Sequence, residues 1–337
     1  MKASNGTNKK RTLHKGSISF DLRSLRCGSL LRISIINYLI GDVKMITVLD
    51  LGNNNIKGLT DICGPINFRS NLSRDYEAYP DGFNYVLLDG QYTYFEKGTF
   101  SKEYIKTNKD YKAQLLYGIA KLNPDADSID TNLTLLLPIS EMEHKAKYEE
   151  ELKNKQFKFA VKANKKKDMI VKIKDVFVVP EGYASYFTLD DKLKASNVLI
   201  IDIGGRTTNV VAMDYGKPQT LNTYKIGILD FYSKLKLLNE DKQYKLEDIE
   251  KAIQRGDIKV SQKDLAVFAN DVINEISLAV NINHYNVVFT GGGSLVIADI
   301  VKNNLPEQCS ILDNALYSNI NGALAVSKQI WSDKSNG

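Results

Sequence analysis

Cysteine is scarce in this 337-residue chain: Cys27, Cys63 and Cys309 lie far apart, with no CxxC spacing. One would be left over after any single pairing, so they build no disulfide framework and suit a reducing cytosol. Histidine is as sparse. His14, His144 and His284 are isolated and match no metal-site spacing. Long apolar runs are missing too. The stretch from Leu30 to Ile40 is broken by Arg32, holds Asn37 and Tyr38, and falls short of the ~20 residues a helical span needs. There is no Walker A sequence, because Gly52 to Lys57 has the wrong spacing and no Ser or Thr follows the lysine.

What is present suits a folded protein. The apolar fraction is 43% and the charged fraction 25%, and the length leaves room for two domains. The net charge of +5 is unevenly spread: residues 1–44 hold nine basic and two acidic residues, a surplus of seven, leaving −2 for the rest. A near-neutral body has no broad nucleic-acid footprint. The basic segment 1–44 is expected to be a disordered extension, with a start at Met45 as the blander alternative. No membrane partner is expected.

Strand signals begin at Met45. Ile46–Leu51 ends in the turn Gly52–Asn55, and Ile56–Ile62 reads as the return strand. Tyr85–Leu88 and Gln91–Phe95 form a hairpin around Asp89-Gly90. Asp110–Leu122 reads as a helix and Leu133–Leu137 as a buried strand. The charged stretch 141–168 is expected to be a solvated helix and loop. Val171–Val179 is a strand, and Glu181–Thr188 opens a helix after Pro180. Asn197–Ile203 and Thr207–Met213 form a second hairpin. Helices follow at Gly227–Leu238, Leu246–Ile253 and Asp264–Val280. Asn286–Thr290 is a strand, Gly291–Gly293 a loop, and Leu295–Asn304 and Asn321–Trp331 are helices.

One pattern occurs twice: an apolar strand ending in Asp, one apolar residue, Gly and a polar turn. The copies are Val48-Leu49-Asp50-Leu51-Gly52-Asn53 and Ile200-Ile201-Asp202-Ile203-Gly204-Gly205. A strand-ending Asp puts a carboxylate at the sheet edge, and a Gly-rich turn lets backbone N–H groups approach an anion. Facing each other, two such hairpins would grip a polyphosphate. Asn53, Asn55, Thr207 and Thr208 would add hydrogen bonds and Lys57 a positive charge. Asp50 and Asp202 would face a Mg²⁺ ion, mostly through its water shell. A single Asp-x-Gly is weak evidence, since hairpin turns use these residues for structural reasons; two copies are far more specific.

Two further elements complete the set. Phe289-Thr290-Gly291-Gly292-Gly293-Ser294 runs from a strand through a triple-glycine turn into a helix, where bare backbone suits a ribose, adenine or phosphate. Val296 stands where a dinucleotide fingerprint needs its third Gly. In Val179-Pro180-Glu181-Gly182-Tyr183-Ala184, Glu181 could orient or deprotonate a water attacking a γ-phosphate. Alone, it reads better as a complement to the helix dipole.

In this order the elements resemble the nucleotide-site segments of the actin, Hsp70 and sugar-kinase superfamily. Met45–Lys57 and Leu199–Val210 resemble the two phosphate segments, and Val287–Val296 the adenosine segment. Val179–Ala184 and, more weakly, Asn319–Ala325 with Gly322 resemble the connecting segments. Within the superfamily, Leu199–Gly205 and Pro180-Glu181 are most similar to ParM-type bacterial actins. The resemblance implies an α/β actin-like fold of two ribonuclease-H-like domains flanking a nucleotide cleft. Domain I would take residues 45–190 plus 311–332, and domain II residues 191–310. It implies an ATPase, with GTP left open as the nucleotide, that uses Mg²⁺ and polymerises into dynamic filaments. Glu181 and Asp202 would serve hydrolysis, and Gly204, Gly205 and Gly291 to Gly293 would cradle the nucleotide. Arg206 departs from the pattern, where a small or hydroxyl residue is usual; it would contact phosphate or point to solvent. The implied setting is cytoplasmic plasmid segregation, through a small DNA-binding adaptor on a centromere-like site. The alternatives are a small-molecule kinase or a chaperone-like nucleotide switch.

Overall fold

The duplicated Asp-x-Gly hairpin sits in two sheets that share the order of five strands. The computed structural model describes residues 45–335, so the expected extension at 1–44 lies outside the described residues. In the first sheet, β1 (Met45–Leu51) turns back into β2 (Asn55–Thr60) and then β3 (Ile66–Arg69). The first sheet also holds β4 (Leu72–Ser73), β5 (Tyr85–Leu88), β6 (Gln91–Phe95), β7 (Ser128–Leu137), β8 (Lys155–Lys162) and β9 (Lys166–Pro180). The full order is β3-β2-β1-β7-β9-β8-β5-β6-β4, with β7 parallel to β1 and β9 parallel to β7.

The second sheet repeats the first half of this plan. It holds β10 (Asn197–Ile203), β11 (Thr208–Asp214), β12 (Lys217–Tyr224), β13 (Asn286–Thr290) and β14 (Cys309–Ile311), in the order β12-β11-β10-β13-β14. Strands β10 to β12 form an antiparallel meander, and β13 and β14 run parallel to β10. The equivalent carboxylates occupy the same register: Asp50 pairs with Lys57, and Asp202 with Asn209.

Each sheet is covered on both faces, which explains why β1 and β10 are buried almost throughout. The helix Lys112–Leu122 packs Leu115, Leu116 and Ile119 against Leu49, Leu133 and Leu135. On the opposite face, Ile320, Ala323 and Trp331 of the last helix, Ser318–Ser335, meet Ile46, Val48, Leu136 and Val179. In the second sheet, Leu199, Ile201 and Phe289 face the helices Ile228–Leu238 and Gln262–Ser277, while Val198, Ile200 and Val211 pack with Leu189 on the other side.

Some elements differ from their sequence readings. The stretch 141–168 is a short helix, Lys145–Leu152, followed by β8 rather than a loop. Phe157, Phe159 and Val161 alternate with Lys158 and Lys162, a period of two that the charge density obscures. The third strand of each meander, β3 and β12, went unread. Gly291–Gly293 is not a loop: it forms the first turn of a helix, Gly291–Val296. Glu181 precedes its helix, which is a single turn at Tyr183–Tyr186 entered through Gly182 at φ +73°.

The last helix crosses this turn closely. A Cβ on Gly322 would stand 1.8 Å from the Ala184 carbonyl oxygen. Gly322→Ala is therefore expected to cost roughly 3 kcal/mol through overpacking, lowering the thermal midpoint by about 6 °C. An unchanged midpoint would show that the helix does not seat here.

Candidate functional site

The ends of β1 and β10 meet across one cavity of about 330 Å³. The two hairpin turns touch: a Cβ on Gly205 would lie 2.8 Å from the Asn54 backbone nitrogen, so only glycine allows this approach. The first turn brings Asp50, Gly52, Asn53, Asn55 and Lys57 to the cavity, and the second brings Asp202, Gly204, Gly205 and Thr207. Glu181 enters from the end of β9, and Gly291, Gly292 and Gly293 from the end of β13. Gly291 has φ +82°, and a Cβ there would lie 2.4 Å from Asp202 Oδ1.

Two predicted residues do not line the cavity. Arg206 turns away, donating to the Ser101 carbonyl at 2.8 Å with its guanidinium over the Tyr104 ring. Thr208 opens β11, fully buried, and donates to the Ile226 carbonyl at 2.8 Å.

Other residues were not read from the sequence. Lys106 lies in the 3-10 turn Lys106–Asn108, 2% exposed. Its Nζ is 2.7 Å from Asp50 Oδ1 and also donates to Glu181 Oε1. No local signal marks it, because its partners lie 56 and 75 positions away. Asn209 Nδ2 donates to Glu181 Oε2 at 2.9 Å. Asn319, within the weakly matched connecting segment, donates to Asp202 Oδ2 at 2.8 Å and accepts from the Gly182 N–H at 2.9 Å. Ile228, Tyr232, Leu295, Val296 and Leu316 add apolar surface to the same cavity, enough to face a flat ring.

The two equivalent aspartates differ electrostatically. Burial alone would raise the Asp50 carboxyl, but the Lys106 and Lys57 ammonium groups outweigh it and hold it below the usual range. Asp202 has an asparagine where Asp50 has Lys57. Burial, with the nearby Glu181 charge, pushes its carboxyl up from 3.8 to about 6. Burial and the neighbouring Lys106 bring the Lys109 ammonium down to about 7, with Asn53 Oδ1 accepting from it.

Comparisons place this geometry among known folds. No family model matches the chain, and no curated protein matches its sequence. Solved structures do. A 15-stranded ParM filament from Clostridium botulinum matches with a TM-score of 0.68 at 19% identity, over 85% of this chain and 99% of that one. The archaeal actin homolog Ta0583, in complex with ADP, matches at 0.69 and 16%, over 85% and 99%. The actin-like protein Alp7A matches at 0.65 and 14%, over 86% and 98%. The chain has the α/β actin-like fold.

The raised Asp202 carboxyl sets a pH dependence. Between pH 3.8 and about 6 the folded state holds a proton that the unfolded state has released. Stability from this group therefore falls as pH rises through that window and stays low above it. Asp202→Asn keeps an acceptor for Asn319 and is expected to be more stable than the parent at pH 7.5 by up to about 3 kcal/mol. Urea midpoints in EDTA would measure this; an advantage no larger at pH 7.5 than at pH 4 would refute the assignment.

Proposed function

We propose that this chain is an actin-like ATPase that assembles into dynamic filaments, acting in plasmid segregation. The observation that carries the reading is the pair of facing Asp-x-Gly hairpins, with Glu181 and the triple-glycine helix start around one cavity. The two sheets with their helices would act as two domains, residues 45–190 plus 311–332 and residues 191–310, able to close on a nucleotide.

The donors suit a magnesium–nucleotide complex. Asp50 and Asp202 are buried carboxylates on opposite sides of the cleft, and Asp202 lacks a lysine partner at its register position. Among the described residues, no group of three or more His, Cys, Asp or Glu gathers to hold an ion by itself. Mg²⁺ keeps much of its water and would take further ligands from phosphate. Bound Mg²⁺ would neutralise charge developing on the transferred phosphate.

The protein's own groups do the rest. N–H groups of the turns at Gly52 and Gly204 and of the helix start at Gly291 would bind phosphate oxygens. Lys57 would add a positive charge. Ile228, Tyr232, Leu295 and Leu316 would flank the base, ATP being the nucleotide favoured and GTP the alternative. Glu181, anchored by Asn209, would orient the attacking water and accept its proton. Closure on nucleotide would present head-to-tail surfaces, and a heterologous contact that does not close yields a filament. Hydrolysis would weaken that contact because the two nucleotide states favour different domain arrangements.

The filament reading is supported by likeness to the ParM filament from Clostridium botulinum and the Alp12 filament structure. By the same likeness, the partners would be further copies of the chain; the family resemblance of the sequence motifs would add a small DNA-binding adaptor on a centromere-like plasmid site. The compartment would be the cytoplasm, as a role in plasmid segregation requires.

Light scattering recorded together with phosphate release tests this. With Mg-ATP, scattering is expected to rise above a critical protein concentration and decay as phosphate appears. Glu181→Gln should slow release about 100-fold and prolong the scattering plateau. Phosphate release with flat scattering at every concentration would overturn the filament reading in favour of a kinase or chaperone-like switch.

A further inference from the structure

Lys106 belongs to no sequence motif, yet it occupies the centre of the carboxylate cluster. Its ammonium bridges Asp50 and Glu181, and its backbone is tethered as well. Its backbone N–H donates to the buried Glu141 carboxylate at 2.7 Å. The segment around it is rooted at both ends in different cores. Phe100 packs with the second-sheet core, and its N–H donates to Glu247 Oε1 at 2.7 Å. Tyr111 packs with the first-sheet core. Arg206 clasps the middle through Ser101 and Tyr104. Residues 100–111 thus form a strap across the cleft that delivers one ammonium to a fixed point.

The result is a carboxylate pair with its oxygens already engaged. Asp50 Oδ1 faces Lys106 at 2.7 Å and Oδ2 faces Lys57 at 3.4 Å. Glu181 gives one oxygen to Lys106 and the other to Asn209. A bare divalent ion approaching Asp50 meets two ammonium groups, and displacing them would take from the buried Lys106 one of its two carboxylate partners and from Lys57 its contact with Asp50. A polyphosphate changes that balance. It brings negative charge that screens the ion from the lysines, and it offers Lys106 a new acceptor.

We propose that Lys106 is a resident cation that closes the Asp50–Glu181 pair to bare divalent ions, so that metal enters the cleft only together with a nucleotide. This rests on the nucleotide-site reading above and deepens it. Lys106 acts here as a positioning residue: in the empty cleft it holds both carboxylates where the metal and the attacking water will need them. Metal and nucleotide then bind with positive coupling, because each removes part of the other's cost.

Mn²⁺ binding to the full chain, counted by electron paramagnetic resonance, tests the proposal without relying on turnover. The parent protein is expected to bind Mn²⁺ at least about 10-fold more tightly with ADP than without it. Without nucleotide, Lys106→Met should bind Mn²⁺ at least about 10-fold more tightly than the parent, and its thermal midpoint should rise when Mn²⁺ is added. Lys106→Arg should behave like the parent. Should Lys106→Met fail to fold, Lys106→Met/Glu181→Gln is compared with Glu181→Gln, and the same gain is expected. Equal Mn²⁺ affinity of the parent with and without ADP, or no gain on losing Lys106, would overturn the proposal alone. A parent protein that binds neither ADP nor ATP in the presence of Mn²⁺ would overturn the nucleotide-site reading, and this inference with it.

Discussion

Three buried carboxylates share one cavity in this protein: Asp50, Glu181 and Asp202 are each no more than 6% exposed. Burying an ionised carboxylate without a partner costs several kcal/mol, so the surroundings must answer each one. Lys106 and Lys57 answer Asp50, Lys106 and Asn209 answer Glu181, and Asn319 answers Asp202. These partners come from the strap, both hairpins and the last helix. The cluster therefore forms only when both sheets, the strap and that helix are in place together. It ties the site to the whole fold.

The two halves share strand order and hairpin, but one substitution in register makes them electrically unlike. Lys57 sits opposite Asp50, and Asn209 opposite Asp202. The first carboxylate is held ionised; the second keeps its proton up to about pH 6. Asn209 is not wasted, because its amide reaches Glu181 instead. One hairpin thus carries fixed charge, while the other positions its neighbour.

Much of this was legible in the sequence. The turn glycines, the strand-ending aspartates and the apolar runs of β1, β10 and β13 are local features with local causes, so they read directly. The hairpin Tyr85–Phe95 reads in the same way, as does the helix expected at Asp264–Val280, which forms at Gln262–Ser277. Elements failed to read where charge hid the apolar period, as in β8, or where a strand was too polar to signal itself, as in β12. Arg206 follows a different logic: a turn side chain points wherever its neighbours allow, and Tyr104 draws it out of the cleft.

What the sequence determined by itself was the repeated hairpin, and with it the expectation of a two-sided phosphate grip. Turn-forming glycines and the apolar character of a strand run are patterns among residues a few positions apart, so they can be read from the chain's local order. What only the tertiary structure decided was the electrostatic state of the cleft. Lys106 reaches its carboxylates from 56 and 75 residues away, and Asn319 reaches Asp202 from 117. The ionisation of a buried group depends on which charges stand within a few ångströms, and only folding sets those distances.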